Sequence, residues 1–277
     1  VKEYATNSHY RISDQKYPVV FDYQGQDTAV VHIRVNDGDP IDNELIRGDI
    51  YGLKVSEDGE GVAGAIFGLF APDETEFTQE TALMTNESDE SGAFSFVGVP
   101  FGDWVIKELS CPPQFVLSGE LFRVTVSEQA QRIEIEAVNE WITGSVQTTK
   151  VNQDYPENKL SDALFGIYLD VNGNKTFDKG IDVFVDHMEE VEPGVYRLDG
   201  LKYNGYFLYE ERSPENFIKD DRYYYFEIRE DGEIVVIENE AGVGFINQPI
   251  TPPEEPEEPT EPPKTGDNDF AVVWFTL

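Results

Sequence analysis

The most constraining feature of this sequence is an internal repeat with a period of about 100 residues. Lys54 follows Asn43 by eleven positions, and Lys150 follows Asn139 by the same interval. The two stretches align without a gap. A chain that repeats at this period is expected to build similar modules in tandem.

Further landmarks recur in the same order within each copy. Glu108 ends a stretch of alternating apolar and polar residues, and Pro112 follows it by four positions. Glu210 and Pro214 repeat this arrangement in the next copy. The repeat therefore marks a Lys, a Glu and an Asn as equivalent positions in two complete units.

The residue pattern inside each unit is that of β-strands. Apolar and polar residues alternate through 93–97, 104–108, 121–126 and 132–138, which is the period of a half-buried strand. Turns that contain Gly separate these stretches, and long helical patterns are absent. Roughly seven short strands per unit predict an all-β chain of tandem Ig-like sandwiches.

Residues 1–43 match the back half of a third copy. Glu3 and Asn43 occupy its Glu and Asn positions. This partial copy has no Lys equivalent to Lys54 or Lys150. The predicted organisation is a partial module at 1–47, complete modules at 48–143 and 144–248, a Pro/Glu-rich linker at 249–264 and a short terminal segment at 265–277.

The charge and the cysteine count exclude several classes of function. Twenty Lys and Arg against 55 Asp and Glu give a formal net charge of −35, which repels nucleic-acid backbones and anionic membrane surfaces. Cys111 is the one cysteine, so no disulfide forms within the chain. A total of one Cys and three His also makes a zinc site improbable. The aromatic content of 13% nevertheless predicts packed cores.

The C-terminal region alternates proline with glutamate in the stretch TPPEEPEEPTEPPK, at 251–264. Proline fixes φ and like charges repel one another, so we expect an extended, semi-rigid stalk; a generic disordered linker is the alternative. A Pro-Lys-Thr-Gly sequence ends at Gly266, and an apolar run of eight residues, 270–277, follows it. A membrane span needs about 20 residues, so we interpret the sequence as a fragment cut at both ends.

This order of stalk, motif and apolar run resembles a Gram-positive cell-wall sorting signal of the LPxTG type, with Pro262 in place of the usual Leu. The resemblance implies that a sortase cleaves between Thr265 and Gly266. It would then join Thr265 to peptidoglycan or to a neighbouring pilin subunit.

The recurring landmarks, with the stretches 104–112 and 206–214, resemble the SpaA/Cna B-type domains of Gram-positive surface proteins and pilins. The resemblance covers 1–248 and implies prealbumin-like sandwiches, many of which contain an autocatalytic Lys–Asn isopeptide bond. The implied catalytic residues are Lys54, Glu108 and Asn139, then Lys150, Glu210 and Asn247, with Glu3 and Asn43 as the remnant of a third set. Without a Lys, we expect no bond in that third set.

Burial explains how such a bond forms without a cofactor. A buried Lys is driven toward the neutral, nucleophilic amine, and a buried Glu toward the protonated acid that polarises an amide and carries a proton. The alternative is that Lys54 and Lys150 are ordinary exposed strand residues, the usual state of lysine. Glu211 adjoins Glu210, and the spacing to Pro214 favours Glu210.

A second candidate site is the loop that contains Asp170, Asn172, Asn174 and Asp178, which places oxygen-bearing side chains at alternate positions. Hard cations such as Ca²⁺ prefer this kind of ligand. The spacing is not that of an EF-hand, because Lys175 takes the position of its invariant Gly. The alternative is an Asn/Gly-rich turn in an inserted hairpin. No other cofactor is expected.

The sequence is expected to be the stalk of an extracellular, cell-wall-anchored adhesin, monomeric, with sortase and peptidoglycan as partners. A sortase-assembled pilin subunit is an alternative, although no Lys in a pilin motif is evident. Another is a module that binds host matrix or glycans through exposed aromatic residues, for which the candidates are Tyr203, Tyr223, Tyr224 and Tyr225. Enzymatic activity toward other molecules is not expected, because the self-crosslinking sets form the one catalytic pattern.

Overall fold

The computed structural model describes residues 1–19, 25, 33–238, 242 and 244–250. Within these residues the structure consists of β-strands and connecting turns, and the one helical element is a short 3-10 turn at Asn36–Gly38. None of the described helical structure is long and apolar enough to cross a membrane. The predicted all-β class is confirmed.

Seventeen strands form two consecutive modules. The first contains β1 (Arg47–Ser56), β2 (Ile66–Phe70), β3 (Met84–Glu87), β4 (Ala93–Pro100), β5 (Gly102–Ser110), β6 (Leu121–Val126) and β7 (Arg132–Asn139). The second contains β8 (Thr143–Asn152), β9 (Leu164–Leu169), β10 (Val183–His187), β11 (Glu189–Glu192), β12 (Val195–Lys202), β13 (Asn204–Arg212), β14 (Phe217–Ile218), β15 (Tyr223–Ile228), β16 (Ile234–Ile237) and β17 (Phe245–Pro249).

The first module has two sheets. One has the order β4-β1-β7, in which β1 is antiparallel to β4 and parallel to β7, and the other has the order β3-β2-β5-β6. Alternate side chains of β1 are buried, as Ile50 and Lys54 show, whereas Leu53 is 40% exposed. This alternation is that of a strand with one face on the core.

The second module repeats this plan with additions. Its sheets have the orders β10-β9-β13-β15 and β11-β12-β8-β17-β14, and β16 also pairs with β8. Two pieces, β16 and β17, replace the single last strand of the first module, and both run parallel to β8. The sequence predicted about seven strands per module, and the second module has ten. The division of this strand accounts for part of the difference.

Aromatic side chains fill the space between the sheets. In the first core Phe67 stacks on Phe94 with ring centroids 3.8 Å apart, and the Phe94 ring occupies the space in which a Cβ at Gly52 would lie, 2.0 Å away. In the second core Phe165 packs edge-on against Phe245 at 5.0 Å. Each fully buried ring of this kind stabilises the fold by about 1.5–3 kcal/mol.

The junction between the modules is hydrogen-bonded on both sides. The backbone N–H of Ile142 donates to the Gln114 carbonyl (2.9 Å), and the Ile142 carbonyl accepts from the N–H of Tyr203 (2.9 Å). The preceding junction repeats the pattern at Ile46, with His9 and Phe101 as partners. The same connection therefore precedes both modules.

The described part of residues 1–46 contains isolated β-bridges and the short 3-10 turn, without a named strand. At the other end, Pro249 and Ile250 are the last described residues. The remainder of the predicted stalk lies outside the described residues, as do Thr265 and Gly266.

Candidate functional site

Strand register brings the predicted Lys and Asn of each module together. Lys54 on β1 pairs with Ala137 on the parallel strand β7, and Asn139 follows two residues later. Lys150 on β8 pairs with Phe245 on β17, and Asn247 again follows two residues later. Residues two apart on a strand share a face, so each Asn lies on the core side next to its Lys.

The first trio, Lys54, Glu108 and Asn139, is buried in the core, with exposures of 0%, 2% and 1%. The Asn139 amide Nδ2 donates to Glu108 Oε1 at 3.0 Å, and Lys54 Nζ lies 4.0 Å from the same oxygen. Lys54 Nζ donates to the carbonyls of Val55 and Ala137, at 3.2 Å each. The alternative of an exposed strand lysine is therefore wrong here.

Burial shifts both ionisable groups of the first trio toward their neutral forms. It lowers the pKa of Lys54, and the nearby Glu108 carboxylate opposes that shift only in part. Burial also raises the pKa of Glu108, against the effect of the Ser118 backbone N–H and of Lys54. A neutral amine beside a protonated acid is the combination that attack on an amide requires.

The second trio, Lys150, Glu210 and Asn247, is packed more closely. Lys150 and Glu210 are fully buried and Asn247 is 1% exposed. Lys150 Nζ lies 3.2 Å from Glu210 Oε1, and the same oxygen accepts from Asn247 Nδ2 at 2.8 Å. Lys150 Nζ also donates directly to Asn247 Oδ1. The exposed alternative is wrong for Lys150 as well.

Aromatic rings surround the amine of the second trio. Lys150 Nζ lies 4.4 Å from the centroid of Phe245 and 5.9 Å from that of Phe165. Burial in this environment lowers the pKa of Lys150 to about 8, although Glu210 opposes the shift. Ala137 takes the place of Phe245 in the first module, so different side chains surround the two lysine amines.

Glu210 and Glu211 lie on opposite faces of β13, and this decides which of them belongs to the trio. Glu210 points into the core, whereas Glu211 Oε1 accepts from the Tyr168 hydroxyl at 2.6 Å. The other oxygen of Glu211 pairs with His187 Nε2 at 2.9 Å. Glu210 alone contacts the amine and the amide, as the spacing to Pro214 predicted.

Two stretches of the sequence, 48–141 and 144–241, match the SpaA family, described as a prealbumin-like fold domain. Together they make up more than half of the chain. The chain belongs to the SpaA family. Its two complete modules are SpaA domains, in agreement with the resemblance found in the sequence.

The Bacillus anthracis TIE protein has a similar fold, at 22% sequence identity and a TM-score of 0.61. The alignment covers 79% of this chain and 38% of that one, so this chain spans well under half of the TIE chain. Looser alignments relate it to a streptococcal ancillary pilin (19% identity, 83% and 74% of the two chains, TM-score 0.33) and to GBS52, a minor pilin of Streptococcus agalactiae (17%, 76% and 100%, 0.32). No curated protein matches the sequence.

The N-terminal residues repeat part of the SpaA-domain site. Asn43 Nδ2 donates to Glu3 Oε1 at 2.8 Å and to Thr6 Oγ1 at 2.6 Å. The Glu–Asn contact of the two complete SpaA domains is therefore present here as well. Among the described residues, no Lys side chain contacts this pair.

One feature of all three sites was not predicted from the sequence. A backbone N–H ten residues after each Glu donates to its second carboxyl oxygen, Oε2. The pairs are Ser13 with Glu3 (2.8 Å), Ser118 with Glu108 (3.0 Å) and Asp220 with Glu210 (2.8 Å). Two of the donors are serines and the third is an aspartate, and each donates through its main chain, so residue identity is a weak signal for this contact.

The predicted calcium loop is closed by its own hydrogen bonds. The Asp170 oxygens accept from the backbone N–H groups of Gly173 and Lys175, at 2.8 and 2.9 Å. Asn172 and Asn174 point their amide nitrogens at one oxygen of Asp178, at 2.9 and 2.7 Å. A cation could bind here only if both amides turned their oxygens toward it. The calcium site stays a prediction, in a loop whose polar groups already hydrogen-bond to one another. The described residues hold no group of three His, Cys, Asp or Glu suited to a metal.

The tyrosines considered as a binding surface pack within the second SpaA domain. Tyr223 stacks on Phe177 with centroids 3.7 Å apart, and Tyr224 contacts Phe245 at 4.8 Å. Tyr203 and Tyr225 are likewise half-buried, with Tyr225 donating to Glu227 at 2.7 Å. These contacts give the rings a structural role.

Cys111 lies beside the first trio and closes a turn. Its Sγ lies 3.5 Å from the Phe115 carbonyl, and burial raises the pKa of the thiol. Ser213 holds the equivalent position in the second SpaA domain and donates to the Phe217 carbonyl at 2.8 Å. Both domains thus have the same turn, in which a small side chain, Cys or Ser, donates to a carbonyl four residues later.

Proposed function

We propose that this chain is the stalk region of a Gram-positive cell-surface protein, in which each SpaA domain closes with an isopeptide bond between its Lys and its Asn. The observation that supports the proposal is the repeated burial of a complete Lys–Glu–Asn trio, in the same strand register, in two separate cores. Lysine is almost never fully buried unless it is paired, and two lysines buried beside a Glu and an Asn in equivalent positions require a common reason.

The proposed reaction forms one bond and breaks one bond. The lone pair of the neutral Lys Nζ attacks Asn Cγ while the protonated Glu hydrogen-bonds to the amide oxygen. The Cγ–Nδ2 bond breaks, and the Glu carries a proton from the attacking amine to Nδ2, which leaves as ammonia. The Glu ends in its starting protonation state, and no oxidant or cofactor takes part. Fixed proximity in the core replaces a bimolecular encounter.

Such a bond suits a stalk because it joins the first strand of a SpaA domain to the last. In the first domain it would link β1 to β7 between Lys54 and Asn139, and the intervening strands would be bypassed under load. The product also removes a buried amine and a buried amide nitrogen, groups that are costly to hold away from water. A protein with one cysteine would gain covalent reinforcement without a disulfide.

For its attachment, we propose that a sortase joins Thr265 to peptidoglycan, with cleavage before Gly266, so that the stalk stands on the outside of the cell wall. The Pro/Glu-rich linker would span the wall. We prefer a stalk to a matrix- or glycan-binding module because the tyrosines that would serve binding pack against their own domain.

The decisive experiment is the intact mass of the purified chain. Two isopeptide bonds lower the mass by two ammonia molecules, and peptide mapping should recover branched peptides that join residue 54 to 139 and residue 150 to 247. A double variant, Glu108→Gln with Glu210→Gln, serves as the uncrosslinked reference. A wild-type mass equal to the sequence mass would exclude the bonds and leave the SpaA fold untouched.

A further inference from the structure

The backbone N–H that follows each catalytic Glu by ten residues holds the same oxygen every time. In the two SpaA domains the donors are Ser118 and Asp220, and in each case the acceptor is Oε2 of the Glu. The other oxygen, Oε1, accepts from the Asn amide and lies nearest the Lys amine. The two carboxyl oxygens are thus divided between a structural and a reacting partner.

We propose that this backbone N–H selects Oε1 as the oxygen that carries the catalytic proton. The inference rests on the isopeptide reaction proposed above and deepens it. A protonated carboxyl group has one oxygen that donates and one that accepts. The main-chain N–H is fixed and always requires an acceptor, whereas the Asn amide can turn its oxygen toward the Glu. Oε2 is therefore the carbonyl oxygen, and the proton is left on Oε1. The proton therefore faces the two groups that react.

The unpartnered oxygen of the first trio fits this assignment. In the described structure, Asn139 Oδ1 is buried and has no hydrogen-bond partner, while Nδ2 faces Glu108 Oε1. A half-turn of the amide brings Oδ1 to Oε1–H, which satisfies the oxygen and polarises Cγ. Lys54 Nζ then forms the bond to Cγ, the Cγ–Nδ2 bond breaks, and the proton that leaves the amine reaches Nδ2 through Glu108.

Ser118 and Asp220 are positioning residues in this account, since they act on the Glu and do not touch the reacting atoms. Their side chains differ, and the Ser118 hydroxyl accepts from the Glu120 N–H at 3.2 Å, away from the Glu. The contribution is therefore that of the main-chain N–H. Replacing the Ser118 side chain should leave the reaction intact, and replacing its amide should not.

The test compares two chains that differ in one main-chain group, the N–H of residue 118. During cell-free synthesis of the full chain, residue 118 is supplied either as alanine (Ser118→Ala) or as the α-hydroxy analogue of alanine, which turns the amide into an ester. Samples taken over time are digested and the 54–139 branched peptide is quantified. We expect Ser118→Ala to react like wild type and the ester to react about tenfold more slowly. The 150–247 bond in the same molecules is the internal control.

A pH profile separates proton placement from a loosened loop. The titratable groups that face Glu108 in the described residues are Lys54, Lys107 and Cys111, and all are unchanged between the two variants. The N–H stabilises the carboxylate, so its loss raises the pKa of Glu108. The bend of the rate profile that reports Glu108 should then move to higher pH in the ester while the maximum rate falls. A loop defect would lower the rate without moving that bend.

The outcomes are distinct. An ester as fast as Ser118→Ala, or slower with an unmoved Glu108 bend, overturns the positioning role while the isopeptide bonds stand. A wild-type chain that loses no ammonia overturns the proposed reaction and this inference with it. If the ester at 118 is cleaved by protease as an unfolded domain would be, the same amide and ester pair at residue 220 decides the question, with the 54–139 bond as control.

Discussion

Lys54 and Asn139 lie on neighbouring parallel strands, two residues out of register, with both side chains on the core face. Lys150 and Asn247 stand in the same relation. Parallel pairing of the first and last strands is what allows this, because it places the C-terminal ends of the two strands side by side. The Glu of each trio lies on the opposite sheet, on β5 in the first module and on β13 in the second.

The role of the Glu predicts the effect of a shape-preserving substitution. Glu108→Gln keeps the size of the side chain and removes the proton carrier, so the first bond should fail and the second should form. The intact mass should then fall by one ammonia instead of two. Glu211→Gln, on the outer face of β13, is the matched control and should lose two. Two ammonias lost from Glu108→Gln would contradict the assigned role.

The crosslink predicts a measurable share of the stability of its domain. The bond between Lys54 and Asn139 would close a loop of roughly 90 residues, for which chain entropy predicts about 4–5 kcal/mol. Guanidinium unfolding of wild type and of Glu108→Gln should therefore differ by about that amount for the first domain. Equal unfolding midpoints, with the bond verified by mass in the wild type, would contradict this account.

The shifted pKa of Lys150 predicts how stability depends on pH when the second bond is prevented. Asn247→Ala keeps Lys150 and Glu210 unlinked. The pKa of Lys150 is about 8 in the folded state, and it returns toward the ordinary lysine value of 10.5 when the chain unfolds. Between these pH values the unfolded chain binds the extra proton, so stability should increase as pH rises through this window and should be lost again on return to pH 8.

The control for that prediction is the double variant Asn247→Ala with Lys150→Met, which lacks the titrating amine. The difference between the two variants isolates Lys150 from the other groups that titrate in the same range. Thermal unfolding of both, from pH 7 to 11, is the measurement. Parallel curves for the two variants would show that Lys150 is not the source of the dependence.

The calcium hypothesis has its own test. If Asn172 and Asn174 turn their oxygens inward, Ca²⁺ binding should release heat in calorimetry of the full chain, and Asp178→Asn should abolish it because it removes the carboxylate that both amides contact. Asp154→Asn, in a different turn, is the control. A titration without heat would leave the loop as an Asn/Gly turn.

The residues of the site could be predicted because the chain presents them twice. An isolated Lys, Glu or Asn carries little information, but Lys54 and Lys150 recur at a fixed distance after an Asn, and Glu108 and Glu210 recur before a Pro. Alternation around them then placed each on a strand. The sandwich followed from the same alternation, since a strand with one apolar face must pack against a second sheet.

Other features have no sequence signal of that kind. The N–H groups of Ser118 and Asp220 act through the main chain, so no side-chain preference marks them. The division of the last strand into β16 and β17 depends on pairing with β8, a contact between residues that are far apart in the sequence. The hydrogen bonds that close the Asp170 loop depend on turn geometry, which oxygen spacing alone does not specify.

The junction at Ile142 has a consequence for how far a stalk of this kind can lengthen. With both bonds formed, only the ten residues between Asn139 and Lys150 connect one crosslink to the next. Most of them already belong to strands, where each residue spans close to its maximum of about 3.3–3.6 Å. The chain thus has almost no slack to release, and the reach of a tandem array is set by the number of modules it contains.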